Sequence, residues 1–173
     1  MDADDRFTQM ALALGHDFGG ELRIGGHYQP VLRHGRQLWV SGQIPRVGDR
    51  VLHVGALGDS LTLQQGREAA ALCALRALAW LQREAGSLTA IEVVLRLTVY
   101  VRCATDFTGH SEVADGASDT LLEVLGDCGV HTRTTVGVLQ LPKAAAVELD
   151  LVAALHDSAV SAKGSAFLDR DEQ

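Results

Sequence analysis

The stretch from Thr62 to Gly86 constrains the fold more than any other part of the chain. Thr62 and Gln65 carry the spacing of a capping box, an alanine- and leucine-rich run follows without a proline, and Gly86 supplies a stop. These features predict one long helix. Ala69, Leu72, Cys73, Ala77, Trp80 and Leu81 form an apolar stripe along it, with Arg67, Arg76 and Arg83 toward the other side. The small alanines on that stripe imply close packing against a sheet. The next segment supplies a strand for it. From Ile91 to Val101 the sequence alternates, with Val93, Leu95, Leu97, Val99 and Val101 on one face and Arg96, Thr98 and Tyr100 on the other.

Other elements are read around this pair. Met1 to about Gly15 fits a short helix, because Phe7, Met10, Ala11 and Leu14 recur at helical spacing. Tyr28 to Leu32 and Gln37 to Ser41 read as strands joined by a turn at His34 and Gly35. Gly42 to Asp59 contains Pro45, Gly48, Gly55 and Gly58 and reads as a loop holding a short strand around Val51 to Val54. Asp106 to Gly129 forms a second helical unit with Leu121, Leu122, Val124 and Leu125 as its apolar surface and Gly126 or Gly129 as its end. Thr132 to Leu139 and Ala146 to Leu155 close the chain as strands on either side of a turn at Leu141, Pro142 and Lys143. The 173 residues suffice for one hydrophobic core. Residues 1–156 are therefore expected as one domain, with 1–26 as an N-terminal extension and 157–173 as a flexible tail.

Charge narrows the partners. Lys and Arg number 15 against 22 Asp and Glu, a formal net charge of −7 that repels a nucleic-acid backbone, and the arginines are scattered singly. No nucleic-acid partner is expected. No segment reaches bilayer-spanning length, and Asp2, Asp4 and Asp5 stand where a secretory leader carries lysine or arginine, so the expected setting is the cytoplasm, without a membrane partner. Cys73, Cys103 and Cys128 form no CxxC pair, and His53 and His110 have no partner at ligand spacing, so reduced thiols and no metal site are expected. Trp39 and Trp80 fall in apolar periodic segments and read as core or subunit-interface anchors. Ser41-Gly42 lacks the GxSxG turn of a serine hydrolase.

Two residues suggest chemistry. Arg133 begins one late strand and Glu148 lies on the next, beyond the Pro142 turn, where hairpin pairing would bring them together. At one cleft, a guanidinium clamps a small carboxylate bidentately and a glutamate positions a water. The same two residue types also form structural ion pairs on sheet faces, which outnumber active sites. His131, beside Arg133, fits either proton transfer or a structural hydrogen bond.

Several stretches then occur in one characteristic order: Ser41-Gly42-Gln43-Ile44-Pro45 after a strand, Gly66 to Ala70 opening the long helix, Val99-Tyr100-Val101 before Asp106-Phe107, and Arg133 through Leu141-Pro142 to Val147-Glu148. In this combination, from about Tyr28 to Leu155, the chain resembles the Rid (reactive intermediate deaminase, YjgF-like) family. Asp115 to Leu122, Glu123 to Gly126 and His131 to Arg133 look like a less studied branch, with an insertion ahead of the second helix. The resemblance implies an α+β, chorismate-mutase-like domain with a mixed sheet and two main helices on one face, assembled as a barrel-like homotrimer with ligand clefts between chains. It implies hydrolysis of 2-imino and enamine carboxylates to 2-keto acids and ammonia without any cofactor. Arg133 would hold the carboxylate, with Thr135 beside it, Glu148 would orient or activate water, and Tyr28 and Ser41 would line the pocket. Asp115 departs from an asparagine usual in the family and adds a negative charge near an anionic substrate, unless it pairs with an arginine. The alternative is a trimer that binds small 2-keto carboxylates without turnover, or, less favoured, an endoribonuclease.

Overall fold

In the structure, a computed structural model, the long helix forms where its caps place it. Helix α2 spans Leu63–Ala85: the Thr62 hydroxyl accepts from the Gln65 N–H, the Gln65 side chain accepts from the Thr62 N–H, and Gly86 closes the end at φ 88°. A left-handed residue there favours glycine. The structure describes residues 1–20 and 22–157, so the tail expected to be flexible lies, Asp157 aside, outside the described residues. The other helices are α1 (Ala3–Ala13) and α3 (His110–Leu125). The strands are β1 (Val31–His34), β2 (Gln37–Gln43), β3 (Arg46–Val47), β4 (Arg50–Val51), β5 (Ile91–Arg102), β6 (Thr132–Val138) and β7 (Val147–Leu155).

Five strands form one mixed sheet in the order β1-β2-β7-β5-β6, and β3 and β4 make a small separate hairpin. All neighbours in the large sheet run antiparallel except β5 and β6, which are parallel and joined through α3. A parallel pair needs such a crossover. Helices α2 and α3 cover one face, over Leu38, Val40, Leu97, Val99, Leu149 and Leu151, and α1 packs against both helices. The result is the α+β architecture with two main helices on one face that the sequence suggested.

Three expectations are corrected. Arg76 does not lie on a polar side of α2: it is 4% exposed, within a stretch from Ala69 to Ala79 that is buried almost all round. Main-chain segments that pack along the helix explain this, the N-terminal one at Phe18, Gly20 and Arg23 and the β3 strand at Arg46. Arg76 donates to the carbonyls of Arg23 (3.0 Å) and Arg46 (2.8 Å), and Arg83 donates to those of Phe18 and Gly20. In β5 the alternation breaks. Register shifts at Ile91/Val93 and Val94/Arg96 bury Val94 and leave Leu95 38% exposed, because each bulge residue reverses the facing of those before it. Finally, β6 and β7 are not a hairpin, since β5 lies between them.

Small residues set the helix spacing. A Cβ added to Gly116 would lie 2.2 Å from the Arg67 carbonyl oxygen, so α3 crosses α2 at van der Waals contact of backbones. Helix α1 is fixed at its first turn by Asp4, whose carboxylate accepts from the Leu88 N–H (2.9 Å), Gln82 Nε2 (2.7 Å) and the Ser87 hydroxyl. Phe7 and Ala11 complete its buried face.

Candidate functional site

The second strand of the sheet is irregular where the site forms. Between Val40 and Gln43 the β2/β7 register shifts, and the backbone at Ser41 and Gly42 swings past Glu148. Gly42 lies so close that a Cβ there would be 2.1 Å from Glu148 Oε1. The Ser41 hydroxyl donates to the Gln29 carbonyl (2.7 Å), and buried Gln43 donates through Nε2 to the Ser41 carbonyl (2.9 Å). This bulge, the segment Arg23–Gly25 with Tyr28, and the turn at Pro142 and Lys143 enclose a cavity of about 480 Å³ that also reaches Arg46, Arg76 and Glu148. Lys143 and Ala144 both adopt left-handed backbone (φ 58° and 57°). The turn is held by Gly55 N–H (3.0 Å) and Arg102 Nη1 (3.2 Å), which donate to the Ala144 carbonyl. Non-glycine residues in this region store strain, which concentrates at ligand sites.

Among the described residues, Glu148 is the one carboxylate that lines the cavity. Burial pushes its pKa above the usual glutamate range, and neighbouring Asp150 adds to the shift. A carboxyl with raised proton affinity in a cleft suits proton abstraction from water. Tyr28, nearly half exposed, also lines the cavity, its hydroxyl accepting from the Gly25 N–H at 3.4 Å. Tyr28, Ser41 and Glu148 are thus brought together.

Arg133, Thr135 and Asp115 lie elsewhere in the chain. Arg133 pairs with Leu97 and therefore shares the helix-covered face, whereas Glu148 pairs with Tyr100 on the face away from the helices. The hairpin expected to join Arg133 and Glu148 does not exist. The Arg133 guanidinium instead meets α3: Nη1 donates to Asp115 Oδ1 (2.8 Å) and the Ser118 hydroxyl (2.8 Å), and Nη2 to the Ser111 hydroxyl (2.9 Å). Asp115 also lies 3.9 Å from Arg67. The charge that set Asp115 apart in the sequence is therefore neutralised by arginines. Thr135 lies two residues along β6, opposite Val99 and half-buried. His131 takes the structural role, with Nδ1 2.6 Å from the Gly129 carbonyl and Nε2 2.9 Å from the Ser118 hydroxyl.

Sequence reasoning missed Ser111 and Ser118, although with Asp115 they fall at i, i+4 and i+7, one polar stripe of a helix. It also missed Arg46, Arg76 and Lys143 as cavity residues. The available signal was Arg76 itself, a lone cation between Leu75 and Ala77 in a run apolar on every side. Cys103 Sγ lies 3.3 Å from His110 Nε2, and burial pushes its thiol pKa up, as it does more strongly for Cys73.

Comparison with known proteins adds independent findings. Residues 11–155 match the family model described as YjgF/chorismate mutase-like, putative endoribonuclease. Protein TCP17 of Trypanosoma cruzi is 42% identical over 132 residues, covering 76% of this chain and 82% of that protein. The crystal structure of a putative endoribonuclease from Shewanella oneidensis superposes with a TM-score of 0.81 at 30% identity, over 90% of this chain and all of that one (100%). Escherichia coli TdcF, solved with bound serine, shares the fold at a TM-score of 0.55 and 20% identity, over 77% of this chain and 91% of that one.

Proposed function

Because the chain belongs to the YjgF/chorismate mutase-like family, we propose that it hydrolyses small 2-imino and enamine carboxylates to 2-keto acids and ammonia. The observation that carries this reading is the half-buried Glu148 carboxylate, with raised pKa, at the wall of a cavity large enough for a small organic acid. An enamine enters as its imine tautomer. Glu148 takes a proton from water as the water oxygen bonds to the imine carbon, and the C=N π electrons move to nitrogen. Glu148 then delivers that proton to the carbinolamine nitrogen, and as the C–N bond breaks the hydroxyl gives its own proton back to Glu148, so that ammonia leaves and the ketone forms. A protonated imine is already electrophilic, so a positioned water and a held carboxylate supply most of what the reaction needs, without a cofactor.

In this reading Arg133 and Thr135 complete the site from a second copy of the chain. One chain carries Tyr28, Ser41 and Glu148, the β6 side of the next brings the guanidinium, and three copies close the ring. Bound serine in TdcF supports a small amino- or keto-acid ligand for the family's fold. Among the described residues no helix is long and apolar enough to cross a membrane, and the proposed setting is the cytoplasm.

A second reading, ligand capture without turnover, is favoured by one observation: Asp115 already occupies the Arg133 guanidinium that a substrate carboxylate must win. RNA cleavage is weaker, since a net charge of −7 opposes a phosphate backbone. The deciding experiment generates imino acids with an amino-acid oxidase and follows their trapping by semicarbazide. Hydrolysis lowers trapping with wild type and far less with Glu148→Gln. Unchanged trapping across several imino acids rules out the enzyme, and stabilisation by 2-keto acids that is lost in Arg133→Ala then identifies a binding protein.

A further inference from the structure

The cavity around Glu148 holds more positive charge than one carboxylate substrate requires. Arg46, Arg76 and Lys143 all line it. Among the described residues no ion pair joins any of these three to a carboxylate. Arg23, a further cation lining the cavity, is paired with Asp49 at 2.5 Å. Among the described residues that line the cavity, Glu148 is the carboxylate set against these three.

Arg76 is the most telling of them. It is 4% exposed, and its Nη1 and Nη2 donate to the Arg46 and Arg23 carbonyls, which fix the guanidinium without cancelling its charge. The Nε atoms of Arg76 and Arg46 are both shut away from solvent without an acceptor. A buried cation lacking a counter-ion is unfavourable in a folded protein unless an anion completes it. Burial and the nearby Arg46 charge accordingly hold the Arg76 pKa below its ordinary value. A guanidinium pinned in advance, as that of Arg76 is, also loses little freedom when a carboxylate docks.

We propose that this cavity takes a small acid with two anionic ends, the second acidic group being held among Arg46, Arg76 and Lys143. This rests on the reading of the cavity as the imino-acid site and names its substrate class: 2-imino or 2-keto acids carrying a distal acidic group, for which about 480 Å³ leaves ample room. The first carboxylate lies at the reacting end, beside Glu148 and the guanidinium brought by the adjoining copy. The distal acid neutralises the basic wall.

The test uses the full chain and isothermal titration with 2-oxoglutarate, its 5-methyl ester, 2-oxovalerate, and 2-oxo-4-phosphonobutyrate. A charge-assisted contact predicts that the diacid binds roughly tenfold or more tighter than the ester or 2-oxovalerate. The phosphonate arm tells whether carboxylate or phosphoryl is preferred at the distal end, and tighter binding of either supports the proposal. Arg46→Gln and Lys143→Gln, which leave the backbone carbonyls in place, each reduce the diacid preference to about threefold or less. Equal affinity for diacid, phosphonate and ester in wild type overturns the proposal alone, as does a preference undiminished in both variants. Absence of binding by every keto acid overturns it together with the reading on which it rests.

Discussion

Gly42 is the residue on which the geometry of Glu148 depends most directly. Alanine there meets Oε1 at 2.1 Å, so the carboxylate or the bulge must move. A displacement of about 1 Å at a catalytic group costs on the order of 100-fold in rate. Gly42→Ala is therefore expected to lose about that much kcat in the imine assay while its circular dichroism spectrum stays that of wild type. On the proposed mechanism Glu148 also links activity to pH. Its folded pKa lies above the ordinary 4.5, so the ionised base appears only as pH rises through that raised value. The pH–rate profile should show an acid limb above pH 4.5 that disappears in Glu148→Gln. The stability consequence has the opposite sense. A raised pKa stabilises the fold below the unfolded value and withdraws that contribution as pH rises through the folded one. Glu148→Gln should melt at a higher temperature than wild type at neutral pH and be slower, and a lower melting temperature would contradict this assignment.

Among the elements, α2 was legible because its caps, length and composition are local properties of the sequence. The facing of β5 was legible only in part. Leu97, Val99 and Val101 point inward as alternation requires, but the bulge near Leu95 depends on how β7 pairs, and pairing is long-range. The same holds for β6, which the α3 crossover delivers beside β5 and so keeps from the hairpin partner that chain order suggested. Close contact between α2 and α3 predicts an outcome contrary to helix propensity. Alanine at position 116 gains up to about 1 kcal/mol as a helix former. It must also push α3 away from the Arg67 carbonyl, and overpacking of this kind costs about 1–3 kcal/mol. Gly116→Ala should thus be destabilised in urea titration. Helix α1 depends on Asp4, for which burial opposes ionisation but hydrogen bonds from Leu88, Ser87 and Gln82 prevail and lower the pKa. Its stabilisation is present above the ordinary value of 3.8 and is lost as pH falls through the depressed one. Asp4→Ala leaves those donors without their acceptor and should cost about 1–3 kcal/mol at neutral pH.

At the scale of the whole molecule, the sheet face opposite the helices carries Leu32, Trp39 and Val152 in one cross-strand row and Tyr100 and Val136 in another. Trp39 is 50% exposed and Leu32 59%. Glu148 shares this face, so an apolar surface adjoins the candidate site, as an assembly that shares the site between copies requires. Light scattering should give three times the 18.4 kDa chain mass, and Trp39→Glu should shift it toward a single chain. The partition of the proposed site was not legible, because the sequence suggests residues for the chemistry but not which sheet face each one takes. Tyr28, Ser41 and Glu148 converge through long-range folding of one chain, while Arg133 and Thr135 belong to its other face. The fastening of Arg76 to the carbonyls of positions 23 and 46 bears on how such a site diversifies, because every amino acid offers that same main-chain oxygen. If the cavity takes a metabolite as proposed, new side chains at 23 or 46 redraw its preference while the frame stays tied, and position 76 remains the knot.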